Sequence, residues 1–125
     1  MIKGIGVDFI EVGRIQKTIN NYGEQFLNRI FTNGEQLYCS RKPHSAQHYA
    51  ARFAAKEAFS KALGTGIMYK FSWKDVEVTR HPSGKPAINY TGFFKNELKQ
   101  SEIFLTLTHT AEHALAVVVI EESAK

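Results

Sequence analysis

The spacing of hydrophobic positions changes along the chain, and each change marks a different element. Ile5, Val7 and Phe9 alternate with Gly4, Gly6 and Asp8, the two-residue period of a β-strand. One face of that strand is apolar; the other carries two glycines and then a carboxylate. Glycine inside a strand weakens it and marks close approach by a ligand or another backbone. A lone Asp at a strand end serves as a turn or helix cap, but Asp8 shares its face with both glycines. That pattern describes a cleared surface ending in an anionic group. From Val12 the period lengthens, and Val12, Ile15, Ile19 and Tyr22 recur at helical spacing up to Gly23. A short helix over 25–31 carries Phe26, Leu27 and Ile30. Thr32 followed by Glu35 reads as a capping box that opens another short helix through Cys39. Pro43 interrupts, and Ser45 is the expected N-cap of a long helix to Leu63, rich in Ala, Lys and Glu and closed by Gly64.

The second half reads differently. Residues 73–80 and 86–90 form a predicted hairpin around a turn at 81–85, and 93–100 a short helix. A final pair of strands covers 103–108 and 114–121, joined through 110–113. Helices first and hairpins later predict an α+β fold, its long helix packed on an antiparallel sheet. The unbroken apolar run Val117-Val118-Val119-Ile120 predicts a strand buried on both faces, against the long helix or another subunit.

Length and composition narrow the picture modestly. The 125 residues suit one domain spanning 1–125, and 43% hydrophobic with 22% charged residues is an ordinary globular balance. No apolar run nears the roughly 20 residues of a membrane span, and the N-terminus lacks a signal-peptide pattern. A single cysteine, Cys39, excludes an internal disulfide and suits a cytoplasmic location. The net charge of +4 points to an anionic partner. Nucleic acid, a polyphosphate cofactor and an acidic protein all satisfy it.

Candidate chemistry begins in the long helix, where Glu57 and Lys61 lie four apart and share a face flanked by Phe53 and Ser60. Alone, such a pair is ordinarily a solvated salt bridge of roughly 0.2–0.5 kcal/mol. Together, G-I-G-V-D at 4–8 and R-F-A-A-K-E-A-F-S-K-A-L-G-T-G at 52–66 carry more. The chain resembles the holo-acyl-carrier-protein synthases, the small members of the phosphopantetheinyl transferases. The closing Thr106-Leu107-Thr108-His109-Thr110 and its apolar strand match as well, so the resemblance covers nearly the whole chain.

The resemblance implies transfer of 4′-phosphopantetheine from coenzyme A to a serine of apo acyl carrier protein. The serine attacks the β-phosphate and 3′,5′-ADP leaves. Positioning and charge stabilisation suffice for such a step, in keeping with a chain that shows no Ser-His-Asp set and no activated-cysteine signature. Catalytic roles fall on Asp8, Glu57 and Lys61. Asp8 and Glu57 match the family's Mg²⁺-binding carboxylates, and either Glu57 or a metal-bound water takes the serine proton. Lys61 neutralises the pyrophosphate and stabilises the leaving group. His109 and Thr110 match the step that meets the 3′-phosphate, while Arg52, Lys61, the Gly64-Thr65-Gly66 turn and Pro86 are further coenzyme A contacts. Arg14 and Lys17 lie on the carrier-docking helix, away from its apolar stripe, with Arg29 close by and Ile15, Phe26 and Phe53 as apolar support. Asn20 and Asn21 stand where relatives often carry arginine. The family assembles as homotrimers whose clefts lie between subunits.

Other readings compete. A different Mg²⁺-dependent coenzyme A or nucleotide enzyme could use the same carboxylates. A nucleic-acid-binding module would suit the charge, although no RNP, KH or helix-turn-helix pattern is present, and neither nucleic acid nor membrane is the expected partner. A zinc site from Cys39, His44 and His48 lacks a CxxC pair and a fourth ligand. A purely structural role leaves the Gly-Gly-Asp face unexplained.

Overall fold

Gly4 and Gly6 decide how the chain folds back on itself. A computed structural model describes residues 1–64, 72–92 and 94–123. In it β1 (Ile2–Glu11) lies along α4 (Ser45–Leu63). A Cβ at Gly4 would fall far inside contact distance of the Ala62 carbonyl oxygen, and one at Gly6 would do the same to Ala58. Strand backbone therefore rests directly on helix backbone, with alanines below and glycines above. The register is metrical. Two strand residues advance about 6.6 Å and four helical residues about 6.0 Å, so Gly4, Gly6 and Asp8 step down α4 in time with its turns. The surface that the glycines clear is thus filled by α4, and Asp8 is the first position on that face with a side chain.

Around this pair run α1 (Val12–Tyr22), α2 (Glu24–Ile30) and α3 (Asn33–Ser40), then β2 (Val76–Arg80), β3 (Pro86–Tyr90), α5 (Phe94–Glu97), β4 (Ser101–His109) and β5 (His113–Glu122). The strands form two antiparallel sheets, one ordered β1-β5-β4 and one of β2 and β3. The Thr32–Glu35 capping box forms as the sequence predicts. Ser45 does not cap α4; His44 occupies that position with φ 56°, and Ser45 is the first helical residue. Trp73–Asp75, expected as strand, is a 3₁₀ turn leading into β2.

Within one chain the expected burial of the last strand is complete on one face only. Val118 and Ile120 are fully buried, but Val117 and Val119 on the other face of β5 are only half-buried. α4 covers one side of the three-stranded sheet, and no described element of this chain covers the other. Ile5, Val7 and Phe9 are accordingly 64%, 51% and 63% exposed, with Phe104 beside them.

α4 divides the interior. One core lies between it and the sheet, centred on Ala54, Ala58, Phe59, Val118 and Ile120. A second joins it to α1, α2 and α3 through Ile15, Phe31, Cys39, Tyr49 and Ala50. Cys39 is wholly enclosed, and burial pushes its thiol up to about 12. A buried ion pair ties this second core together. Lys56 Nζ lies 2.7 Å from Glu35 Oε1, both side chains fully buried, and donates to the carbonyls of Ile30 (2.7 Å) and Trp73 (3.1 Å). Glu35 Oε2 accepts from the Val78 amide at 2.7 Å. Three ammonium protons meet three acceptors, so the charge is fully satisfied; removing one partner of such a pair costs about 3–5 kcal/mol.

Candidate active site

The matched steps of β1 and α4 bring Asp8 level with the helix turn that carries Glu57 and Lys61. Lys61 Nζ lies 3.0 Å from Asp8 Oδ1 and 3.1 Å from the Val7 carbonyl oxygen. The lysine therefore reaches across to the strand instead of back to Glu57 four residues earlier. Among the described residues its ion pair is with Asp8 and that of Lys56 is with Glu35. Burial first, and then the Asp8 charge, push the Glu57 carboxyl above the usual carboxylate range against the opposing pull of Lys61. Two carboxylates close enough to repel, with one cation on Asp8, leave local negative charge unbalanced.

Beside them opens a cleft of about 330 Å³ lined by Asp8, Glu57, Arg14, Ile15, Thr18, Phe26 and Phe53 among others. A second hollow of about 270 Å³ shares Thr18 and Phe26 with it and adds Tyr22, Gln25 and Arg29. The two form a groove along α1 and α2. Phe53 is fixed by stacking on Trp73, with ring centroids 5.4 Å apart, and by Phe26 at 6.5 Å. Arg14, Arg29, Phe26 and Phe53 thus share one surface with the carboxylates. Lys17 is exposed but lines neither hollow. Thr18 and the exposed Tyr22 belong to the groove; the sequence put Tyr22 on the apolar stripe of α1 and did not single out Thr18, whose i, i+4 spacing from Tyr22 was the available signal.

Arg52 and His109 sit elsewhere. Five residues separate Arg52 from Glu57, which turns them about 140° apart around α4. Arg52 is 2% exposed, with its guanidinium carbon 4.0 Å from the centre of the Tyr38 ring. His109 closes β4 and contacts Gln47 Oε1 through Nδ1 at 3.1 Å, its ring meeting that of His48 edge-on at 5.0 Å. Arg80 and Lys42 also lie over the Tyr38 ring. Tyr38, Lys42, Gln47 and Arg80 went unnoticed in the sequence, and His48 was read only against a zinc site, because α3, α4, β2 and the α3–α4 connection bring them together. Pro86 pairs with Arg80 across the β2–β3 hairpin and so borders the same cluster. Thr110 shapes the β4–β5 turn, its hydroxyl oxygen accepting from the amides of Glu112 and His113. Gly64 ends α4 with φ 101°, its amide donating to the Ser60 and Lys61 carbonyls. Thr65 and Gly66 lie outside the described residues. Of the supposed zinc ligands, Cys39 is buried as a neutral thiol, His44 is an exposed helix cap, and His48 packs on His109.

Comparison with known proteins bears on this geometry. A model of the 4′-phosphopantetheinyl transferase superfamily matches residues 4–118. A holo-[acyl-carrier-protein] synthase of Geobacter sp. (strain M21) is 47% identical over 124 residues, 97% of this chain and 99% of the relative. A holo-[acyl-carrier-protein] synthase from Neisseria meningitidis superposes with TM-score 0.87 at 34% identity, covering 98% of this chain and 100% of that one. The Bacillus anthracis str. Ames holo-(acyl-carrier-protein) synthase, solved in complex with CoA (3′,5′-ADP), gives TM-score 0.82 at 38% identity, with 98% and 99% covered. With the motifs, the fold and near-full-length relatives in agreement, the chain belongs to the 4′-phosphopantetheinyl transferase superfamily.

Proposed function

We propose that the chain transfers 4′-phosphopantetheine from coenzyme A to a serine of apo acyl carrier protein, releasing holo carrier protein and 3′,5′-ADP. The observation that carries this reading is the meeting of Asp8, Glu57 and Lys61 beside a cleft that also bears Arg14, Phe26 and Phe53. Relatives named for this activity, one of them solved with coenzyme A, support it.

Asp8 and Glu57 fit Mg²⁺, a hard cation that takes one or two carboxylates together with substrate phosphates and water. Burial first and then the Asp8 charge raise the Glu57 pKa, and a dication between the two carboxylates relieves that penalty on the charged form. When bound, Mg²⁺ supplies positive charge to the coenzyme A pyrophosphate. Glu57 is then the group on this chain placed to accept the serine proton as the hydroxyl oxygen attacks the β-phosphorus. The bond between that phosphorus and the bridging oxygen breaks, and 3′,5′-ADP departs. Lys61 is half-exposed and one helical turn from Glu57, so its ammonium can follow the charge that builds on the leaving phosphate.

His109, Thr110 and Arg52 take the 3′-phosphate, with Pro86 beside them and Gly64 at the other end of the cofactor. Arg14, Lys17 and Arg29 attract the acidic carrier protein, while Phe26 and Phe53 give it an apolar seat. The Asp8 and His109 groups face different ways around α4, and no described element covers one face of the three-stranded sheet. Both features support a homotrimer in which coenzyme A lies between subunits, Asp8, Glu57 and Lys61 coming from one chain and His109 from its neighbour. We place the reaction in the cytoplasm, where a lone thiol stays reduced. Among the described residues no helix is long and apolar enough to cross a membrane.

Incubation with apo carrier protein and coenzyme A, with and without Mg²⁺, followed by mass spectrometry, tests the reading. We expect the carrier to gain phosphopantetheine only with the metal. A carrier left unmodified under both conditions, or chain that instead binds RNA with steep salt dependence, would overturn it.

A further inference from the structure

Tyr38 stands at the centre of an unusual gathering of positive charge. Arg52 lies 4.0 Å from its ring centre, Lys42 Nζ 4.8 Å and Arg80 5.6 Å, and His48 meets the ring edge-on at 5.9 Å. Cations over an aromatic face are attracted by its quadrupole, and guanidinium groups stack there readily. The phenol ring holds cations together that would otherwise spread apart. Among the described residues none of Lys42, Arg52 or Arg80 has a carboxylate at ion-pairing distance. Arg52 is 2% exposed and its buried Nε makes no hydrogen bond. A buried guanidinium N–H left unmatched costs free energy unless a ligand meets it. Burial favours the neutral phenol, yet the charges of Arg80, Arg52 and Lys42 outweigh it and draw Tyr38 below the usual phenol range. Burial, followed by the charges of His109, Arg52, Lys42 and Arg80, holds His48 below the usual imidazole range.

We propose that Tyr38 is a positioning residue for coenzyme A specificity: its ring collects Arg52, Arg80 and Lys42 beside His48 and His109, so that together they select a cofactor bearing a 3′-phosphate. This rests on the assignment of Arg52 and His109 to that phosphate. Arg52 is the inner member, its orphaned N–H awaiting an acceptor. Arg80 is held from the far side by its 2.6 Å hydrogen bond to the Gly84 carbonyl. The aromatic ring gathers all three cations, and the hydroxyl adds a hydrogen bond to Arg80 alone. Tyr38→Phe therefore keeps the function and Tyr38→Leu does not.

The experiment compares coenzyme A with dephospho-coenzyme A in carrier modification by the assembled enzyme. Adenosine 3′,5′-bisphosphate and 5′-AMP serve as binding probes for the same variants. Tyr38→Leu should cut the preference for coenzyme A about tenfold, the scale of one to two lost cation–π contacts. The loss should come through KM, with kcat for saturating coenzyme A kept within about twofold. Tyr38→Phe should retain the preference, a rescue that a hydroxyl-dependent or merely space-filling role does not give. His109→Ala and Arg52→Lys are run alongside. If they lose the preference while folded Tyr38→Leu keeps it, the Tyr38 proposal is wrong and the phosphate site stands. If all three keep it, the phosphate site itself is misplaced. Should Tyr38→Leu fail to fold, Tyr38→Met and the exposed Arg80→Gln carry the test, and undiminished preference in both overturns the proposal.

Discussion

The two clusters that flank α4 are built by opposite means. Asp8, Glu57 and Lys61 are brought together by backbone, because two glycines let a strand sink onto a helix until the next side chain meets the helix's own polar turn. Arg52, Arg80 and Lys42 are brought together by a side chain, the ring of Tyr38, from a helix, a strand and a loop. The first leaves negative charge in excess and the second leaves positive charge. Each is electrostatically incomplete, and what completes one repels the other. A ligand that carries phosphates with a metal at one end and a bare phosphate at the other answers both. Unbalanced charge of this kind, set in a folded scaffold, is a better guide to function than any one residue.

If that contrast holds, removing the acidic cluster should have the largest effect. Asp8→Ala and Glu57→Ala should each lower carrier modification by at least about 10²-fold, the scale of losing one fixed electrostatic element at a reacting phosphate. Turnover at millimolar Mg²⁺ measures this, and wild-type rates in either variant would remove the carboxylates from the site. Next comes the geometry between clusters. Glu57→Ala and His109→Ala chains, refolded together, should recover activity well above the mean of the parents, because some interfaces then pair two intact halves. Exchange of chains without recovery would place both clusters of a working site in one subunit. Arg14→Glu should act more narrowly, raising the carrier KM about tenfold at low salt and less at high salt, with coenzyme A affinity unchanged. Separate titration of the two substrates decides it.

The smallest effect concerns stability. The folded state holds the Glu57 proton to higher pH than the unfolded chain does. Folded chain thus binds more protons than unfolded across the interval between those two pKa values, and stability falls as pH rises through it. Glu57→Gln should therefore raise Tm by a degree or two at pH 7 and leave it unchanged well below the carboxylate range, while transfer is lost. Calorimetry at the two pH values checks the sign, and a variant that melts lower at pH 7 would contradict the strained-carboxylate account.

Local patterns were legible in the sequence, and long-range pairings were not. The period of Ile5-Val7-Phe9, the Thr32–Glu35 cap and the Ala-rich stretch ending at Gly64 each predict the element that forms, because propensity and capping act within a few residues. The Gly4-Gly6-Asp8 face was legible as a cleared surface. That a helix backbone fills it depends on Ala58 and Ala62, more than fifty residues away. Lys61 has a natural local partner in Glu57 and instead takes Asp8, a choice set by the depth to which β1 sinks. Continuous hydrophobicity from Val117 to Ile120 signals a buried strand but does not say which of its faces the described elements of this chain cover. Tyr38 gave no signal, since a tyrosine between Leu37 and Cys39 is ordinary until Arg80 arrives from β2.

Cys39, fully enclosed with its thiol pushed to about 12, offers a use as well as a role. A thiol that is neither exposed nor ionised does not react with alkylating reagents while the native packing lasts. As the only cysteine in the chain, it turns chemical modification into a clock for opening events. Each modified molecule records one excursion in which α3 has parted from α4. With reagent in excess and reclosing fast, the modification rate gives the population of opened chains without denaturant. Coenzyme A, whose 3′-phosphate in our assignment meets Arg52 of α4 beside Tyr38 of α3, should slow that clock by holding the two helices together as well as by stabilising the folded chain as a whole.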